Sequence, residues 1–319
     1  MPCYYPMQGY PASVPNANGK KPLSFTRPHG YKGETITVPC GRCIGCRLER
    51  SRQWALRCMH EASMYDDNCF ITLTYKPENI PEYGTLKLDH WQKFMKRYRK
   101  AFPSTTIRFF MCGEYGENLE HSKNGTLGHP HYHACIFNHD FHDKSLYSIR
   151  EGIKLFRSVT LEKLWPYGFS TIGDVTFESA AYVARYVMKK QMGKTADGKT
   201  AHQYYEHLDS ETGEVIDLKP EFTTMSRRPG IGKPWYDKFK GDLKKDFITS
   251  RGVKMKPPKY YDGQLEIESP VQYEKLKEER KQNAVKHNNK PDYFKRLEDG
   301  HKIKTKRIKN LPRILNNEN

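Results

Sequence analysis

Two imidazoles stand two residues apart at His131 and His133, inside the run Gly128-His129-Pro130-His131-Tyr132-His133-Ala134-Cys135-Ile136-Phe137, which reads as a β-strand. Alternate strand residues share a face, so His131 and His133 point the same way as Cys135 and Phe137, while Tyr132, Ala134 and Ile136 take the other side. Two neutral imidazoles side by side can hold one divalent cation. Two unrelated histidines on a polar strand face would have the same spacing, so the run needs support from elsewhere in the chain.

Further along stands Glu178-Ser179-Ala180-Ala181-Tyr182-Val183-Ala184-Arg185-Tyr186-Val187-Met188-Lys189-Lys190. At helical pitch Ala180, Val183, Ala184, Val187 and Met188 form one apolar arc, and Tyr182, Tyr186 and Lys189 cluster opposite it. The phenols therefore lie off the main apolar stripe, although a helix between two layers buries both sides. Beside a metal ion, two phenols one turn apart supply two sequential nucleophiles for phosphodiesters, with Lys189 near to neutralise charge. A third metal ligand is expected at Glu114, just past the strand Ile107 to Cys112, because a hard oxygen suits Mg²⁺ or Mn²⁺; Glu117 and Glu120 are rivals.

His-hydrophobic-His on a strand followed by Tyr-x-x-x-Tyr-x-x-Lys on a helix resembles the HUH endonucleases, and the two-tyrosine form resembles the rolling-circle replication initiators of small single-stranded DNA viruses. Phe70-Ile71-Thr72-Leu73-Thr74-Tyr75 is similar to the first motif of that family. Pro39-Cys40-Gly41-Arg42-Cys43-Ile44-Gly45-Cys46-Arg47 and Arg227-Arg228-Pro229-Gly230-Ile231-Gly232 bring the chain closer to the initiators of gokushoviruses, a branch of the microviruses. The three core motifs span roughly residues 70 to 190 and are specific only in combination. The resemblance implies an α+β HUH fold with a central, mainly antiparallel sheet flanked by helices. It also implies nicking of single-stranded DNA at an origin through a 5′-phosphotyrosine, a free 3′-hydroxyl primer, rejoining of the displaced strand, and host helicase and polymerase as partners. The same core would serve a plasmid relaxase or a single-strand transposase. From another class, a nonenzymatic, zinc-stabilised nucleic-acid-binding protein stays open.

Cys40, Cys43 and Cys46 have Cys-x-x-Cys-x-x-Cys spacing, and Cys3 is the natural fourth ligand of a structural Zn²⁺ if the N-terminus folds back. The full spacing of an iron–sulfur run is absent. Pro39-Cys40-x-x-Cys43 matches half of a nucleobase-deaminase signature, but no His-x-Glu precedes it, which excludes that class. Cys58, Cys69, Cys112 and Cys135 are expected as small buried hydrophobes.

The net charge of +17 over 319 residues points to a polyanionic partner. Nucleic acid fits better than a membrane, since no apolar run approaches the ~20 residues of a spanning helix. With no signal-peptide pattern and unpaired cysteines, the expected location is the cytoplasm, which the resemblance implies is that of the infected bacterial host. Arg227, Arg228 and Lys233 join positive charge to flexible backbone and are candidate DNA contacts, although the segment is not a Walker A loop. Nothing in the sequence fixes the oligomeric state.

The elements that must position these groups follow from periodicity. A helix after the cysteines leads to the strand Phe70 to Tyr75, then to a helix capped by Asp89 with Trp91, Phe94, Met95, Tyr98 and Phe102 on its apolar face. The strands Ile107 to Cys112, the His131 strand and Phe169 to Phe177 precede the tyrosine helix. His129, His139 and His142 are expected in loops or at strand edges, as polar surface or DNA contacts. Four regions result: a Cys-rich segment 1–50, a core 51–193, an excursion with the Arg/Gly-rich segment 194–253 packing on the core, and a basic C-terminal tail 254–319. Within that tail Val271 to Lys286 reads as a charged helix, and Lys302 to Arg313 as partly mobile.

Overall fold

The computed structural model describes residues 3–17, 21–116, 119, 122–125, 127–150, 152–186, 200–288 and 292–309. Two compact units emerge: Met1–Arg50 with Lys277–Pro312, and Ser51–Leu276.

The larger unit is α+β, built on one seven-stranded sheet. In chain order its strands are β1 (Asn68–Tyr75), β2 (Arg108–Tyr115), β3 (Pro130–Phe137), β4 (Ser145–Arg150), β5 (Ile153–Arg157), β6 (Gly168–Gly173) and β7 (Phe222–Met225). Their spatial order is β7-β2-β3-β1-β6-β5-β4, and every neighbouring pair is antiparallel. The main helices are α1 (Ile44–Ala62), α2 (Leu88–Ala101), α3 (Val159–Leu164) and α4 (Phe177–Tyr186).

Strand alternation separates two cores. One face carries Ile71, Leu73, Tyr75, Met111, Tyr132, Ala134, Ile136 and Ile172, buried with Trp91, Phe94 and Tyr98 of α2 and Leu161 of α3. The other carries Phe70, Phe110, Cys112, Cys135 and Phe137, buried with Ala55 and Cys58 of α1 and Ala180, Val183 and Ala184 of α4. Glu61 of α1 pairs there with Arg108 and accepts a 2.6 Å hydrogen bond from Gly232 N. Gly232 has φ +80, a left-handed conformation that costs glycine little.

Several details depart from the sequence reading. The β4–β5 hairpin and α3 lie between the histidine strand and β6, where no element was expected. Consecutive exposed Leu146 and Tyr147, and a register shift between Leu146 and Ser148, break the alternation that would have marked the strand. The strand expected to reach Phe177 stops at Gly173, and α4 begins because Thr176 Oγ1 accepts from Ser179 N at 3.1 Å. Helix α2 starts one residue before Asp89, which pairs instead with Lys93 at i, i+4. Within 194–220, Glu206–Leu208 and Val215–Asp217 do form a hairpin, yet Tyr205 and Leu218 are buried in the main core. Strand β7 then adds an edge to β2. His139 is not a surface residue: it is buried, with Nδ1 2.8 Å from the Tyr98 hydroxyl.

In the smaller unit, Leu23–Ser24, Met7–Pro11 and Ile36–Val38 form a three-stranded sheet. The helix Tyr293–Lys309 continues through Lys302, where a mobile tail was expected; residues 310–313 of that stretch lie outside the described residues. Its Leu297 and Tyr293 pack around Cys3, Cys40, Cys43 and Cys46. Among the described residues, no helix is long and apolar enough to cross a membrane.

Candidate functional site

Register brings the candidate ligands together. Glu114 on β2 stands directly opposite His131 on β3, and His133 opposite Cys112, so all three acid and imidazole groups share the face covered by α1 and α4. His131 Nε2 lies 3.1 Å, and His133 Nε2 2.9 Å, from the same Glu114 Oε1. Their ligand atoms all fall within 4.8 Å of one another. Two imidazole nitrogens and a carboxylate oxygen converging on one point are a donor set able to hold a metal ion.

The surroundings orient this set. His133 Nδ1 lies 2.9 Å from Thr72 Oγ1 on β1. With Nδ1–H donating to the hydroxyl, the Nε2 lone pair is directed at the site, as a support for a ligating histidine should do. Burial would raise the Glu114 carboxyl, but the adjacent His133 and His131 outweigh it and hold the group down at about 2. Thr72 escaped the sequence reading because a threonine alternating with Ile71 and Leu73 is ordinary strand composition, and its row opposite His133 is set by a register that the strand's own sequence does not show.

Tyr182 reaches the same carboxylate: its hydroxyl donates to Glu114 Oε1 at 3.2 Å, and its ring meets His133 edge-on at 5.0 Å. It is only 6% exposed, so it does not lie on a free polar side of the helix. Helix α4 buries both sides, because Ala180, Val183 and Ala184 join the core cluster with Phe110, Cys112 and Cys135 of the sheet while Tyr182 turns to the histidines. Ser51 of α1 donates to Ala181 O at 3.0 Å, which fixes the two helices together. The Arg185 guanidinium, absent from the sequence reading, lies 5.7 Å from the Tyr182 ring. Tyr186 ends α4, and its side chain lies outside the described residues, as do Lys189, Glu117 and Glu120.

Cys3, Cys40, Cys43 and Cys46 come together in the smaller unit, their sulfurs within 4.8 Å of one another. Cys40 N donates to Cys3 Sγ at 3.2 Å, Cys43 N to Cys40 Sγ at 3.3 Å and Tyr4 N to Cys43 Sγ at 3.4 Å. Burial alone would raise the Cys43 thiol, but backbone donors from Cys46 and Tyr4 pull it down to about 7. Four sulfurs clustered under amide donors fit a tetrahedral thiolate site for Zn²⁺. Cys58, Cys69, Cys112 and Cys135 are buried, as expected of small apolar side chains.

The arginine segment forms a cavity of about 400 Å³ lined by Arg99, Arg108, Ser226, Arg227 and Arg228. Arg108 is paired with Glu61; among the described residues no carboxylate pairs with Arg99, Arg227 or Arg228. Lys233 stands apart from them, its ammonium paired with Asp237 and 3.6 Å from Glu268. His142 is exposed and His129 half-buried.

Comparison with known proteins converges on one group. The family model described as replication-associated protein ORF2/G2P matches residues 68–191, a span that contains Glu114, His131, His133 and Tyr182. The chain is 32% identical over 247 residues to replication-associated protein ORF2 of Spiroplasma virus 4, covering 73% of this chain and 68% of that protein. It is 30% identical over 242 residues to replication-associated protein VP4 of Bdellovibrio phage phiMH2K, covering 71% and 67% respectively. A third relative, replication-associated protein ORF4 of Chlamydia phage 1, is 29% identical over 170 residues, 51% of this chain and 40% of its own length. No solved structure matches the chain.

Proposed function

This chain belongs to the phage replication-associated proteins, as a replication initiator of the microvirus type, and from that premise we propose that it nicks and rejoins single-stranded DNA at the viral origin by tyrosine attack. The observation that carries this reading is the convergence of His131 Nε2, His133 Nε2 and the Tyr182 hydroxyl on one buried oxygen, Glu114 Oε1. In it, Glu114, His131 and His133 would hold Mg²⁺ or Mn²⁺. A cation held there supplies Lewis-acid polarisation of the scissile phosphate and neutralises its charge.

The protein's own groups do the rest. Glu114 Oε1 orients the Tyr182 phenol by accepting its hydrogen bond. Arg185, whose guanidinium lies 5.7 Å from the Tyr182 ring centroid, adds positive charge beside the phenol. Tyr182 oxygen forms the new bond to phosphorus as the bond to the 3′-oxygen breaks; the phenol proton passes to solvent water, and the leaving oxygen takes a proton from solvent to become the 3′-hydroxyl primer. The covalent bond conserves the phosphodiester energy for rejoining. Tyr186 is the proposed second nucleophile and Lys189 a further charge partner.

Arg227, Arg228 and Lys233 are proposed to hold backbone phosphates, Lys233 by exchanging its exposed Asp237 partner for phosphate, with the +17 net charge adding nonspecific affinity. The four cysteines would hold a structural Zn²⁺ that stabilises the smaller unit. Host helicase and polymerase, in the cytoplasm of the infected cell, complete the reading. An SDS-resistant complex of protein and labelled single-stranded origin DNA should form with Mg²⁺ or Mn²⁺ and be absent in EDTA. A complex unaffected by EDTA would contradict the metal-dependent step.

A further inference from the structure

The row that aligns the metal-site residues contains one more side chain. Glu114 pairs with His131, His131 with Thr74, and Thr74 with Phe169, across β2, β3, β1 and β6. Residues opposite one another in paired strands project from the same face, so Phe169 lies on the face of Glu114 and His131. Two strand spacings separate His131 from Phe169, about 10 Å, which is within reach of a neighbouring nucleotide. Exposure rises along the row: Glu114 is buried, Thr74 half-buried and Phe169 50% exposed. The other face of β6 buries Ser170 and Ile172, so the core makes no use of the Phe169 ring.

The ring's position is set by its neighbours. A Cβ on Gly168 would approach Thr74 O to 2.2 Å, so only glycine lets β6 come this close to β1. Lys76 N donates to Tyr167 O at 3.0 Å and closes the same corner. Lys76 Nζ lies 5.7 Å from the Phe169 ring centroid. An exposed, rigidly placed aromatic ring with an ammonium beside it offers a nucleotide both of its needs, a stacking surface for the base and a cation for the phosphate.

We propose that Phe169 is a stacking platform for a base of single-stranded DNA adjacent to the phosphodiester at Glu114, His131 and His133, with Lys76 contacting the backbone. The inference rests on the single-stranded DNA reading above and adds a base-binding position to it. The test compares full-length wild type, Phe169→Ala and Phe169→Trp in EDTA, so that binding is read without cleavage. The probes are a labelled oligothymidylate of about 20 nucleotides and an abasic oligonucleotide of the same length. Phe169→Ala should weaken oligothymidylate binding about tenfold and leave abasic binding unchanged, and Phe169→Trp should restore it with fluorescence quenched only by the probe that carries bases. Equal affinities of wild type and Phe169→Ala for oligothymidylate, or equal losses on both probes, would overturn the stacking role and leave the nuclease reading standing. Failure of wild type to bind either probe would overturn both.

Discussion

The Tyr182 hydroxyl and the Glu114 carboxylate, 68 residues apart in sequence, meet at 3.2 Å on the oxygen that also faces His131 and His133. A phenol buried in this position has its nucleophilic oxygen already placed against the groups that would hold a cation. Orientation of that kind removes much of the entropic part of a displacement barrier.

His131→Ala, His133→Ala and Glu114→Ala should each lower nicking more than about 100-fold while retaining most DNA affinity, which comes from Lys and Arg contacts to phosphate. Gel-based nicking and anisotropy read the two properties separately. Thr72→Val is the finer probe: without the hydroxyl at His133 Nδ1, half-maximal nicking should require about tenfold more Mg²⁺ or Mn²⁺. An unchanged metal requirement would remove Thr72 from its supporting role.

Metal analysis of purified protein should find one equivalent of Zn²⁺, lost in Cys40→Ser and Cys43→Ser together with part of the thermal stability. Zinc-free wild type with an unchanged melting temperature would dismiss the thiolate site.

Arg227→Ala with Arg228→Ala should weaken binding of single-stranded DNA of any sequence and flatten the slope of log affinity against log salt by about one to one and a half. A slope equal to that of wild type would place these guanidiniums away from the phosphates.

His60 gives the larger unit a defined acid response. It stacks on Trp235 at 3.7 Å, its Nδ1 lies 2.8 Å from the Tyr261 hydroxyl, and burial lowers its pKa from 6.5 to about 4. Between those values the unfolded chain binds the proton and the folded chain does not, so stability falls as pH drops through this window, by no more than about 3 kcal/mol. Urea unfolding of wild type and His60→Gln at pH 7 and pH 4.5 should show the gap between them narrowing in acid. Parallel loss in both proteins would assign the acid sensitivity elsewhere.

Much of the site could be read before the fold. Strand alternation put His131 and His133 on one face, and the hard-ligand argument selected Glu114 from three acids. Tyr182 was identified by helical spacing, but its burial was not legible, because a single apolar arc does not reveal a helix packed on both sides. Thr72 and Phe169 were silent because the roles proposed for them rest on cross-strand register, which a strand's own sequence does not specify. His139 was misread for a related reason: a polar residue after a strand looks like loop, and its partner Tyr98 lies 41 positions away. Lys233 has the charge expected of a DNA contact; Asp237 stands four residues on in the same helix and could be read beside it, whereas only the fold brings Glu268 to it.

The central claim is that tyrosine on α4 attacks phosphorus, and mapping the covalent adduct tests it most directly. Wild type incubated with single-stranded origin DNA and Mn²⁺, digested with protease and nuclease and analysed by mass spectrometry, should carry the nucleotide on Tyr182 or Tyr186. Tyr182→Phe and Tyr186→Phe should each lose repeated cleavage and joining, and the double variant should form no adduct. Attachment at any other residue, or undiminished adduct in the double variant, would contradict the account.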